Sequence, residues 1–103
     1  MLPNFVERDD AGVITCAWKS EPYKDYESGL KNGQDRADTL VEYLSETDDV
    51  PTVSRVIRAA GNSKQTPIEI GFFGRVIDLL RRSWAARLSV FIFIAQLPTD
   101  GIL

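Results

Sequence analysis

Apolar and polar positions alternate near the start of the chain and then change to a helical rhythm. Phe5–Arg8 and Val13–Lys19 are β-prone runs on either side of Asp9-Asp10-Ala11-Gly12. An Asp-rich turn sequence ending in Gly between two such runs predicts a β-hairpin. In the second run Ile14, Cys16 and Trp18 share one face at period two, and Val13, Thr15, Ala17 and Lys19 share the other. The first face is the more apolar and is the expected core side.

Further along, Tyr26, Leu30, Ala37, Leu40, Val41 and Leu44 recur at helical spacing and predict a first helix from about Leu30. Gly29 and Gly33 weaken its opening turns. Lys31, Asp35, Arg36, Asp38 and Glu42 fall mostly on its outer side. Thr47-Asp48-Asp49-Val50-Pro51 ends this helix and begins the next. Val53, Val56, Ile57 and Ala60 then predict a short helix over 52–60, stopped by Gly61-Asn62.

The third helix, over 66–83, has the clearest local signal. Thr66-Pro67-Ile68-Glu69 puts Thr at the N-cap, Pro at the first helical position and Glu three residues after the cap. Two apolar rows follow side by side: Ile68, Phe72, Val76, Leu79 and Phe73, Ile77, Leu80, Trp84. Their combined arc is wider than a helix lying on one surface needs, which makes this helix either central to the core or shared with a partner. Asp78 is within reach of Arg81 and Arg82 on the remaining side.

Arg87–Ala95 is rich in β-branched and aromatic residues, and turn residues follow it at Leu97–Gly101. A buried strand is the preferred reading, because it would complete a small sheet with the hairpin. A helix extension is the alternative, since Trp84, Leu88, Phe91 and Ala95 also fit a helical row. The expectation is an α+β fold in one small domain, 1–103: an N-terminal hairpin, three helices, and a C-terminal strand or helix extension.

Composition changes this picture mainly by exclusion. The chain has 103 residues, of which 44% are hydrophobic and 26% charged, proportions of a globular domain rather than a disordered one. A formal net charge of −3 disfavours phosphate backbones and anionic membranes as partners. Acidic surface at Glu7, Asp9, Asp10, Asp48 and Asp49 suits a basic protein partner instead. One cysteine rules out an internal disulfide, and no apolar run reaches the roughly 20 residues a bilayer requires. With no secretory signal at the N-terminus, a cytoplasmic location is expected.

The chain has no histidine. That removes Ser-His-Asp and Cys-His catalysis, histidine metal sites and the commonest general base. Cys16 alone cannot build a structural zinc site and reads as a small core residue. Asp35, Asp38, Glu42 and Glu46 follow one helical face and could hold a divalent cation or form an acid–base pair, against the simpler reading of a solvated face. The glycine pairs Gly29/Gly33 and Gly71/Gly74 follow no predicted strand, so they are not nucleotide loops. Within helices they admit a close neighbour, whether the hairpin or a second subunit.

Three function classes remain. The leading one is a non-catalytic protein-binding or self-associating module (a small regulator, adaptor or inhibitor, monomeric or homo-oligomeric). Its anchors would be Phe72, Phe73, Trp84 and Phe91, aromatic residues of the kind that hold interfaces. The second is a DNA- or RNA-binding regulator using helices 52–60 and 66–83, with Arg55, Arg58, Lys64 and Arg75 on phosphates. Ile68, Glu69, Ile70, Phe72 and Phe73 are poor base readers for the first turns of a recognition helix. The third is a carboxylate-based metal binder or enzyme on the first helix. No cofactor is expected and no residue is assigned as catalytic.

Overall fold

In the computed structural model of the chain, which describes residues 2–95 and the side chains as far as Arg82, the hairpin forms where the alternation places it. Strands β1 (Glu7–Arg8) and β2 (Ile14–Cys16) pair antiparallel, with Glu7 opposite Cys16 and Arg8 opposite Ile14. The turn is built by Asp9, whose Oδ1 accepts the backbone N–H groups of Ala11 (3.0 Å) and Val13 (2.9 Å). Gly12 completes it at φ +83°, a conformation that glycine adopts without steric cost. Ile14 and Cys16 are half-buried and Trp18 is buried, as expected of the apolar face, but Ala17, expected on the opposite face, is buried as well because the chain leaves the strand after Cys16.

Helix α1 runs Tyr26–Thr47 and begins earlier than the apolar spacing implies. Its start is fixed by a capping box: Asp25 Oδ1 accepts the Ser28 N–H (2.8 Å), and Ser28 Oγ accepts the Asp25 N–H (3.0 Å). Asp48 stops the helix in the left-handed region at φ 59°, with its N–H on the Leu44 carbonyl (2.8 Å). Asp49 then caps α2 (Val50–Asn62) by accepting the Thr52 N–H. The paired aspartates between the helices thus divide the work, one ending α1 and one starting α2.

Helix α3 runs Pro67–Ala95. Glu69 Oε1 accepts the Thr66 N–H (2.8 Å), and Thr66 Oγ1 accepts the Ile68 N–H (3.3 Å). The preferred strand over 87–95 is therefore corrected to the helical alternative, and the sheet has two strands among the described residues. Neither Pro nor Gly interrupts the chain between Gly74 and Pro98. Propagating an existing helix gains a hydrogen bond per residue without a new nucleus, whereas a strand there would have to start afresh. Leu97–Gly101, the turn residues expected after that run, lie outside the described residues.

Helices α1 and α3 make most of the contact between elements, and glycine sets their spacing. A Cβ added at Gly33 would stand 1.9 Å from the Ile68 carbonyl oxygen, and one at Gly71 would stand 2.2 Å from that of Leu30. The close neighbour expected at these glycines is α1 against α3, neither the hairpin nor a second subunit. Gly74, by contrast, has nothing within 4 Å of an added Cβ.

This crossing also moves the buried stripe of α1. Gly29, Gly33, Ala37 and Leu40 face inward, and Arg36 and Tyr43 are buried with them. Tyr26 and Val41, expected inside, are 57% and 46% exposed. The core then consists of Phe5, Val6, Ala17 and Trp18 from the hairpin region, Ala37 and Leu40 of α1, Val56 and Ala60 of α2, and Ile68 and Phe72 of α3.

Candidate functional site

Two features stand out from ordinary packing: a buried charged cluster beneath the hairpin and an exposed apolar row on α3. The cluster is centred on Arg36, only 4% exposed although it sits mid-helix among polar neighbours. Its guanidinium carbon lies 4.6 Å from the centre of the Trp18 ring and 5.0 Å from that of Phe5. Aromatic faces are favourable ground for a cation removed from water. Arg36 Nε donates to Asn32 Oδ1 (3.0 Å). Nη2 stands 3.2 Å from Glu21 Oε1, an ion pair without hydrogen-bond alignment, and among the described residues neither Nη1 nor Nη2 has an aligned acceptor. Burial accordingly pushes the Arg36 guanidinium below its ordinary range, and the Glu21 carboxylate offsets part of that shift.

Glu69, 4% exposed, closes the other side of the same core. Trp18 Nε1–H donates to its Oε2 (2.7 Å), while Oε1 accepts from both the N–H and the hydroxyl of Thr66. Burial pushes this carboxyl up. The donors from Thr66 and Trp18 outweigh burial, and the net shift is below the usual carboxylate range. Trp18 thus stacks on a buried cation and donates to a buried anion, joining the hairpin region to α1 and α3. From it an edge-to-face series of rings, Trp18–Phe72 (4.6 Å) and Phe72–Phe73 (5.1 Å), leads towards the outer side of α3.

The outer side carries the second feature. Ile70 is 45% exposed and Ile77 and Leu80 are each 63% exposed. Phe73 is half-buried between them in sequence. These four positions, separated by three, four and three residues, form one row along the helix. Next to it Asp78 gathers Arg75, Arg81 and Arg82 at 3.2, 3.2 and 3.0 Å, which extends the pairing expected with Arg81 and Arg82.

The sequence-selected residues separate accordingly. Phe72 is fully buried and drops out of any docking surface, because its ring is enclosed against Trp18. Phe73 stays on the surface side, and the side chains of Trp84 and Phe91 lie outside the described residues. Of the four phosphate-contact residues, Arg75 is held by Asp38 (2.8 Å) and Asp78, and Arg55 donates to the Ile14 carbonyl (3.1 Å). Arg58 and Lys64 are exposed. On α1, Asp38 is engaged by Arg75, and no group of three or more Asp, Glu or Cys among the described residues is placed to hold a metal ion. Sequence reasoning missed the Arg36–Trp18–Glu69 cluster, because hydropathy spacing counts Arg36 as an outward polar position and Glu69 as a cap alone.

No family model, no curated protein and no solved structure matches this chain. Among the described residues, no helix is long and apolar enough to cross a membrane.

Proposed function

We propose that this chain is a non-catalytic self-associating module whose contact surface is the outer row of α3, and that the partner is a second copy of the chain. The observation that carries this reading is the exposure of Ile70, Ile77 and Leu80 along one line of α3, on the side away from the buried Ile68 and Phe72. Scattered exposed apolar side chains are common, but a continuous row is a mark of association.

The second copy is favoured by the spacing. Ile70, Phe73, Ile77 and Leu80 fill successive a and d positions of a heptad. The same spacing continues in the sequence at Trp84, Phe91 and Ile94, on a helix whose backbone extends to Ala95. Arg87 is the one departure. A heptad seam is met by a helix of matching repeat, and an identical helix supplies that repeat in a closed, two-fold arrangement. Regulator, adaptor or inhibitor roles are all compatible with such a dimer.

Thermal unfolding over a hundredfold range of protein concentration tests the reading. A dimer raises its melting temperature with concentration by mass action. Ile77→Glu with Leu80→Glu should abolish that dependence while leaving the far-ultraviolet circular dichroism of the fold intact. A wild-type melting temperature independent of concentration would count decisively against the proposal.

A further inference from the structure

Arg36 is a buried guanidinium whose Nη1 and Nη2 have no aligned hydrogen-bond acceptor among the described residues, Nη2 meeting the Glu21 carboxylate only as an ion pair at 3.2 Å. Its faces are covered by Trp18 and Phe5, and its Nε is used by Asn32. Arginine in such a setting presents Nη1 and Nη2 as a planar fork, the geometry that matches the two oxygens of a carboxylate. Leaving buried donors without acceptors is costly, and fold stability alone gives no reason to keep them so.

Arg36 lines a groove of about 390 Å³ together with Asn4, Glu21, Lys31, Asn32 and Asp35 among others, with its Nη atoms covered while Glu21 is in place. Glu21 already places a carboxylate there, but poorly. It stands 3.2 Å from Nη2 without hydrogen-bond alignment, and its only hydrogen bond among the described residues is from Asn32 Nδ2–H (3.1 Å). Its side chain is 39% exposed, on the irregular segment before α1, so it can leave for solvent without disturbing a helix or strand. With Glu21 gone, the charged groups lining the groove are Lys31 and Arg36 against Asp35 alone.

We infer that this groove is a carboxylate-binding site in which Glu21 is an internal stand-in, displaced when an incoming carboxylate takes both Nη atoms of Arg36. Lys31 supplies the second positive charge, and the amides of Asn4 and Asn32 supply further donors. The site is independent of the α3 row, and its success or failure leaves the self-association reading untouched.

The test is a titration of the ¹⁵N-labelled chain with succinate, and separately with inorganic phosphate, at constant ionic strength. The reporters are the Trp18 indole N–H and the Asn32 side-chain amide. Succinate should shift both saturably in the wild type. Glu21→Gln should bind it at least about tenfold more tightly, Glu21→Ala should do the same, and Lys31→Gln should weaken it. No saturable shift in wild type or Glu21→Gln, equal affinity in the two, or a response to phosphate in preference to succinate would each overturn the inference.

Discussion

Glu69 serves two elements with one carboxylate, closing the first turn of α3 through Thr66 and receiving the indole N–H of Trp18 from the hairpin side. Its net shift is below the ordinary carboxylate value, so the folded state binds the proton less readily than the unfolded chain. That contribution to stability is fully present above the unfolded value, about 4.3, and is lost as the pH falls through the lower folded value. Asp49 shifts in the same direction, held down by Thr52 and by the hydroxyl of Tyr43. Urea unfolding from pH 7 down to pH 3 should therefore show stability falling below about pH 4.3. Glu69→Gln should flatten part of that acid limb. Parallel limbs for the variant and the wild type would mean that the cluster does not hold Glu69 as described.

Among elements, the α1–α3 crossing makes glycine substitutions diverge in sign. Gly33→Ala would drive a methyl into the Ile68 backbone, which cannot yield as a flexible side-chain tip can. Its cost should reach or exceed the ~3 kcal/mol at the upper end of ordinary overpacking. Gly74→Ala meets nothing within 4 Å in the same class of secondary structure. It should instead stabilise by about 0.5–1 kcal/mol through helix propensity. Denaturant midpoints of the two variants check both signs. If both moved the same way, the close approach would not exist.

The same crossing explains what was legible in the sequence. Signals confined to a few neighbouring residues read through correctly: the Asp9–Gly12 turn, the Asp48-Asp49 junction and the cap at Thr66–Glu69. Features made by contact between distant segments did not. Gly33 reads as a weak helix residue until α3 is laid across it. Arg36 reads as solvated until Phe5 and Trp18, some 20 to 30 residues earlier, close over its guanidinium. The run at 87–95 satisfies strand and helix patterns together, and only its attachment to an existing helix decides between them.

For the whole molecule, the apolar face that was too wide for a single contact divides into two. Its inner row, with Ile68 and Phe72, is buried in the core. Its outer row, with Ile77 and Leu80, remains exposed, and Ile70, which the sequence pattern does not include, extends it. Of these two rows the outer one is open to a partner, and the self-association proposal therefore places the interface not on Phe72 but on Phe73 and its neighbours at heptad spacing. Sedimentation equilibrium across a wide range of loading concentrations measures this most directly. The account predicts a mass that rises with concentration from 11.5 kDa towards twice that value. A single species of 11.5 kDa at every concentration would contradict it.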